Sequence, residues 1–290
     1  MLCPARQDQP LPMKVFLMSR FSFLSALAAA ISVPMPAAAE LLVAPTRVVL
    51  TPDSRSSELV LVNKGTETAA FRISIENRRM REDGSLEDAG EARPGDQFAD
   101  DKLRYSPRQL VLEPGARQVV RVMAAAPGDL EPGEYRSHLR LMSAPISAGA
   151  AESVGETPTD NSLSIELVAI RSITIPVILR VGSLEASVSM ESAAMLPENP
   201  EQLVVRLTRS GSRSTYGDIR LTTEGEKEPA WMIRGVAIYT PNLKRDVIVP
   251  LPAEIRAKLA GKRVRIDYTS TDAGDPASNG KRLASLTATF

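Results

Sequence analysis

From Leu41 onward the chain alternates apolar and polar residues with a period of two, the spacing of a sheet that buries one face and wets the other. Residues 41–50 are β-rich, broken at Pro45 and closed by Thr51-Pro52-Asp53. An internal proline cannot donate to a ladder, so this opening strand belongs at a sheet edge or a bulge. A second strand is predicted over 58–62, ended by Asn63-Lys64-Gly65. In the next, Ala70, Arg72, Ser74 and Glu76 alternate with Phe71, Ile73 and Ile75. Further strands are predicted over 109–112, 118–124 and 134–142, separated by the reversals Glu113-Pro114-Gly115 and Glu131-Pro132-Gly133.

Residues 143–160, rich in Ala, Gly, Ser, Glu, Thr and Pro, have no apolar period and are predicted to form a long loop. The longest strand follows over 163–180. Leu163, Ile165, Leu167, Ala169, Ile173, Ile175, Val177 and Leu179 share one parity, which only Arg171 breaks. Fully extended, such a run reaches roughly 60 Å, more than one ordinary sheet accommodates, so part of it should project or bend across a domain boundary. Periodicity leaves open whether Leu163 to Ala169 face this chain's own core or another protein's groove; for Ile173, Ile175 and Val177 the core is favoured. A second β-pattern begins after Val181-Gly182, with short strands predicted over 203–207, 219–221, 236–239, 247–249, 264–266 and 283–290, and one or two helical turns over 252–259. No repeat of solenoid or propeller length is present. The expected fold is all-β, with two immunoglobulin-like sandwiches spanning 40–181 and 182–290.

The N-terminus reads differently. Lys14 and Arg20 precede an apolar run over 21–33, then Pro34, Pro36 and Ala37-Ala38-Ala39. This is the order of a secretory signal peptide over 1–39, with Met1 or Met13 as its start, and the run is too short to cross a bilayer core of about 30 Å. The sequence carries 35 Lys and Arg against 35 Asp and Glu, one Cys and one His. Zero net charge argues against nucleic acid as a partner. The single Cys excludes a zinc ribbon, an iron–sulfur cluster and an internal disulfide. Cleavage after Ala39 would leave 32 basic and 34 acidic residues and remove Cys3, giving an exported, thiol-free chain held together by apolar burial. An exported location is expected, with no metal, cofactor or small-molecule substrate.

No catalytic constellation emerges. His138 shares a strand face with Arg136 and Arg140, whose charges disfavour a protonated imidazole and a role as general base. Asp83, Glu87, Asp88, Glu91, Asp96, Asp100 and Asp101 lack the order of a calcium loop and read as a solvated loop. Walker, G-x-S-x-G and G-x-G-x-x-G motifs are missing, and Trp231 beside Met232 is assigned to the core.

The mature chain nevertheless resembles a family. Ala44-Pro45-Thr46-Arg47-Val48 in the first strand, Gly133-Glu134-Tyr135-Arg136-Ser137-His138-Leu139, the long loop, and the alternating strand ending Ile175-Pro176-Val177-Ile178-Leu179-Arg180 are similar to the periplasmic pilus chaperones of the chaperone–usher pathway. The second half matches more loosely, through Val236-Ala237-Ile238-Tyr239. The resemblance implies an L-shaped pair of sandwiches without enzymatic activity. It also implies pilin-like subunits and an outer-membrane usher as partners, with self-association of the unloaded chain left open. The donor strand would be Leu163, Ile165, Leu167 and Ala169, filling a subunit's groove. Arg47 would grip the subunit's terminal carboxylate. The sequence departs from the family at the second anchor, where Pro176 stands in place of a Lys and supplies neither charge nor N–H. Arg171 and Arg180 are the candidate replacements. The alternative is an exported structural or adhesive module that keeps the long strand for itself and binds no pilin.

Overall fold

A computed structural model describes residues 41–125, 130–144 and 170–290. The segment read as a signal peptide and the candidate donor residues Leu163, Ile165, Leu167 and Ala169 lie outside these residues. The first half contains β1 (Leu41–Ala44), β2 (Val48–Leu50), β3 (Ser56–Asn63), β4 (Ala69–Glu76), β5 (Arg78–Met80), β6 (Leu86–Asp88), β7 (Leu103–Ser106), β8 (Gln109–Leu112), β9 (Arg117–Ala124), β10 (Gly133–Ala144) and β11 (Ser172–Val181). Two sheets, ordered β1-β3-β9-β7 and β2-β11-β10-β4-β8, face each other, and β5 pairs with β6 as a separate hairpin.

The alternation read from the sequence gives the core. Leu59, Leu61, Val120 and Val122 point inward from one sheet, and Phe71, Ile73, Leu139, Leu141, Ile175, Val177 and Leu179 from the other. Burying a side chain of this size stabilises by about 1.5–3 kcal/mol before entropy is charged against it. The opening strand divides at Pro45, so that β1 joins one sheet and β2 the other. The proline thus sits where no ladder donor is needed.

The second half contains β12 (Ala186–Leu196), β13 (Asn199–Gly211), β14 (Thr215–Thr223), β15 (Trp231–Ile238), β16 (Lys244–Pro250), helix α1 (Ala253–Leu259), β17 (Arg263–Ser270) and β18 (Arg282–Thr289). Sheets β12-β13-β16 and β15-β14-β17-β18 enclose a second core of Leu203, Val205, Leu207, Ile219, Val264, Ile266 and Tyr268, among others. The chain is therefore all-β, built as two β-sandwiches. Gly182 turns it from one core toward the other at φ +80°, a conformation that would strain any side chain, and a Cβ there would meet Pro132 at 2.9 Å.

The acidic stretch after β4 exposes Asp83, Asp88, Glu91, Asp100 and Asp101 as a solvated loop would, but departs from that reading in forming the β5–β6 hairpin and in burying the Asp96 side chain. Arg79 and Asp96 form an ion pair with side chains 9% and 4% exposed, and Arg79 also donates to the carbonyls of Ala89 and Glu91. The guanidinium thereby supplies donors to loop carbonyls that would otherwise be buried unpaired. The hairpin reaches the second sandwich, where the Glu82 carbonyl accepts from Asp246 N–H at 2.8 Å and the Met80 carbonyl from Asn242 Nδ2 at 2.9 Å.

Candidate functional site

Register places the candidate anchor. Strand β11 pairs with β10 along its whole length but with β2 only over Val177–Leu179, in parallel against Val48–Leu50. Position 47 therefore lies level with Pro176, and Pro176 pairs with His138, which in turn pairs with Glu76. Arg47, Pro176, His138 and Glu76 form one row across the outward face, with strands about 4.8 Å apart.

The outer edge of β11 changes character at Pro176. Ser143 N–H donates to the Arg171 carbonyl, whereas Arg136 N–H points the other way, to Gln97. The odd residues of β10 and β11 thus bond to each other, and the even residues of β11 direct their main-chain groups away from β10. Ile178 meets β2 there, while the groups of Ser172 and Thr174 have no strand partner among the described residues. Pro176, at the junction, carries no N–H to leave unpaired. Among the described residues, β2 covers one half of this sheet edge and no strand covers the other.

Arg47 is 7% exposed and lies against the second sandwich. Its Nη2 donates to Ser214 Oγ at 3.4 Å, and its guanidinium carbon stands 4.7 Å from the Tyr216 ring centre and 5.5 Å from that of Tyr239. Nε and Nη1 are buried without hydrogen-bond partners. Arg136 stacks on the same Tyr239 ring at 4.3 Å and donates to the Thr240 carbonyl, with its Nε also unpartnered. Burial is the main influence on Arg136 and lowers its pKa. Arg47 and Arg136 thus keep buried N–H donors beside a cation–π stack, with Asp272 the nearest carboxylate, 4.0 Å from Arg47 Nη2.

Arg180 is paired with two acids. Its Nε donates to Glu134 at 3.0 Å and its Nη2 to Asp272 at 2.7 Å, bridging the two sandwiches. Glu134 also accepts from Ser214 N–H, and Asp272 is approached by Arg213 at 3.8 Å and by Arg47 at 4.0 Å. Burial opposes the charge of Arg180, but the two carboxylates outweigh it and raise the pKa. Nε and Nη2 are thus taken by acids of this chain, while Nη1 has no hydrogen-bond partner among the described residues. Arg171, the other candidate replacement, is exposed at the mouth of β11 and has no acidic partner among the described residues.

His138 keeps the strand parity read from the sequence but is completely buried, edge-on to Tyr239 at 6.4 Å. Burial first, then the Arg136 and Arg78 guanidiniums, push its pKa down to about 3. The unfolded chain binds a proton near pH 6.5 that the folded one refuses, so the neutral histidine contributes fully above pH 6.5 and its contribution is lost as pH falls toward 3. Stability should drop across that window by up to about 1.4 kcal/mol per pH unit from this residue. Urea titrations of wild type and His138→Gln at several pH values check this: the difference between them should be constant above pH 6.5 and shift in favour of the variant as pH falls below it. Among the described residues no group of three His, Cys, Asp or Glu side chains could hold a metal ion.

Tyr216, Tyr239 and Asp272, which complete the site, all come from the second sandwich. The only sequence signal that touched them was the loose match through Val236-Ala237-Ile238-Tyr239.

The architecture is that of an all-β chain whose two sandwiches meet over a charged and aromatic seam. No family model matches the sequence, and no curated protein matches it. Among solved structures, the chain is similar to a chaperone–tip adhesion subunit complex from the archaic chaperone–usher Csu pili of Acinetobacter baumannii, at 11% identity, covering 87% of this chain and 99% of that one, TM-score 0.45. It is also similar to the class 5 fimbriae chaperone CfaA, at 12% identity over 86% of this chain and 98% of that one, TM-score 0.43. A third similar structure is the Salmonella enterica SafA pilin in complex with the SafB chaperone, at 10% identity over 87% and 97%, TM-score 0.41.

Proposed function

We propose that this chain is a periplasmic chaperone that caps a pilin-like β-subunit by donor-strand complementation and passes it to an outer-membrane usher. The observation that carries the reading is the edge of β11 at Ser172 and Thr174, which no strand among the described residues pairs with. An incomplete β-subunit needs main-chain donors and acceptors plus alternate apolar side chains, and that edge supplies the former. Upstream of that edge the sequence runs through Leu163, Ile165, Leu167 and Ala169, whose parity is that required of the apolar set. In this reading residues 1–39 are removed on export, and 40–181 and 182–290 act as the donor-strand domain and its companion sandwich.

Arg47 supports the same reading. A terminal carboxylate would satisfy its two unpartnered N–H groups through charge-assisted bonds, and capture requires Tyr216 and Tyr239 to shift from their present cover. The test is co-expression with a co-encoded secreted β-subunit, followed by co-purification. Arg47→Ala should weaken capture by about tenfold or more, the value of a lost charge-assisted pair. Its cost to the isolated chain should stay within about 1 kcal/mol, because Asp272 keeps Arg180 and Arg213 and a guanidinium with orphaned donors stabilises little. Unchanged capture by Arg47→Ala would remove this residue from the mechanism.

A further inference from the structure

The turn between β15 and β16, Tyr239 to Asn242, is seated in the first sandwich and held there from two sides. From β10, Arg136 donates to the Thr240 carbonyl at 3.3 Å and stacks on the Tyr239 ring, while Glu134 accepts from Thr240 Oγ1 at 3.4 Å. From the β5–β6 hairpin, the Met80 carbonyl accepts from Asn242 Nδ2 at 2.9 Å. The Met80 side chain also joins Ile178, Ala237 and Tyr239 in a buried apolar cluster that spans both sandwiches, with Val49, Leu86 and Tyr216 packed against it.

The tip of the hairpin grips the strand that follows. The Glu82 carbonyl accepts from Asp246 N–H on the side of β16 away from β13. Arg245 lies under the tip and donates to the Ala237 carbonyl, so close to Gly84 that a Cβ there would collide with its guanidinium. Gly84 has φ +85°, so only glycine both makes this turn without strain and leaves room for Arg245. The two rings in or against the cluster, Tyr239 and Tyr216, are the ones that cover Arg47, at 5.5 Å and 4.7 Å. The cover of the anchor is therefore packed into the cluster that Met80 closes.

We propose that the β5–β6 hairpin is a latch on the anchor. While Met80 holds Asn242 and Tyr239, Arg47 stays covered; when the hairpin lets go of that turn, Arg47 is uncovered. The inference rests on the chaperone reading for the task of Arg47 and adds what governs access to it. A carboxylate that binds only the uncovered state has its affinity reduced by the fraction of molecules in that state, so weakening the latch raises capture without touching the anchor.

Access is read directly with phenylglyoxal, which modifies accessible guanidinium groups, by mapping the labelled arginines of the full chain by mass spectrometry. In the wild type Arg47 should react at least about tenfold more slowly than the exposed Arg117, as a covered state requires. Asn242→Ala removes the bond to the Met80 carbonyl and should speed Arg47 labelling about fivefold, the worth of one net hydrogen bond. Met80→Ala opens a cavity in the cluster and should speed it about tenfold or more. Arg180, buried in the same seam, reports whether the sandwiches stay joined and should remain protected in both variants. Unchanged Arg47 labelling in both variants, wild-type labelling as fast as that of Arg117, or exposure of Arg180 together with Arg47 in both would each overturn the latch. The two readings separate. Unchanged labelling, with subunit capture still lost in Arg47→Ala, rejects the latch and preserves the anchor. Faster labelling in the loosened variants, with capture indifferent to Arg47→Ala, does the reverse.

Discussion

Arg180→Ala is expected to destabilise the isolated protein by about 3–5 kcal/mol, the largest effect of any single change considered for this seam. The residue stands between Glu134, which is fully buried, and Asp272, at 1% exposure. Removing the guanidinium leaves two carboxylates out of water with reduced compensation. Glu134 would retain the Ser214 N–H at 3.0 Å and Asp272 the more distant Arg213 at 3.8 Å. A buried charge stripped of its partner costs far more than the intact pair gains over an apolar replacement. The thermal midpoint should fall by roughly 10 °C or more, and added salt should restore little, since screening acts weakly on buried pairs. Replacing Arg180, Glu134 and Asp272 together by apolar residues of similar volume should recover much of the loss, which separates the cost of orphaned charge from the worth of the network. A loss below about 1 kcal/mol for Arg180→Ala would mean that water reaches both carboxylates.

The cores were legible because alternation is a local signal. Leu59 and Leu61, or Leu203, Val205 and Leu207, declare their inward face within a few residues. Strand β12 escaped notice because the alternation of Val188 and Met190 with Ser187, Ser189 and Glu191 is short and loses its parity at a bulge between Met190 and Ser192, so its place depends on pairing with β13. The β5–β6 hairpin escaped for another reason. Asp96 read as one acid of a solvated loop, and only the fold brings Arg79 to it and buries the pair. The long alternating run was read as one strand over 163–180, of which the described strand is β11, starting at Ser172.

The site divides in the same way. Arg47 was named through the family resemblance, whereas the parity of His138 with Arg136 and Arg140 was read from position along a strand. The burial of His138 was not readable, nor was the commitment of Arg180 to Glu134 and Asp272. Asp272 is 92 residues from Arg180, and Ser214 is 167 from Arg47. A partner at that separation is set by how the two sandwiches meet, which no local pattern encodes.

The second large effect concerns the candidate donor strand. Ile165→Asp combined with Leu167→Asp is expected to abolish capture of a co-expressed β-subunit, a loss of at least about a hundredfold, while the purified variant keeps its thermal midpoint. Two carboxylates driven into a partner's apolar groove are costly, each by a few kcal/mol unless they protonate, whereas the same side chains in water cost almost nothing. If residues 163–169 instead served this chain's own core, the same charges would be buried in the isolated protein and would lower its stability by several kcal/mol. The decisive measurement is therefore subunit co-purification and thermal midpoint taken together on this double variant. Lost capture with an unchanged midpoint is the expected result. A large fall in midpoint, with Arg47→Ala showing no defect in capture, would contradict donor-strand complementation and leave an exported structural module.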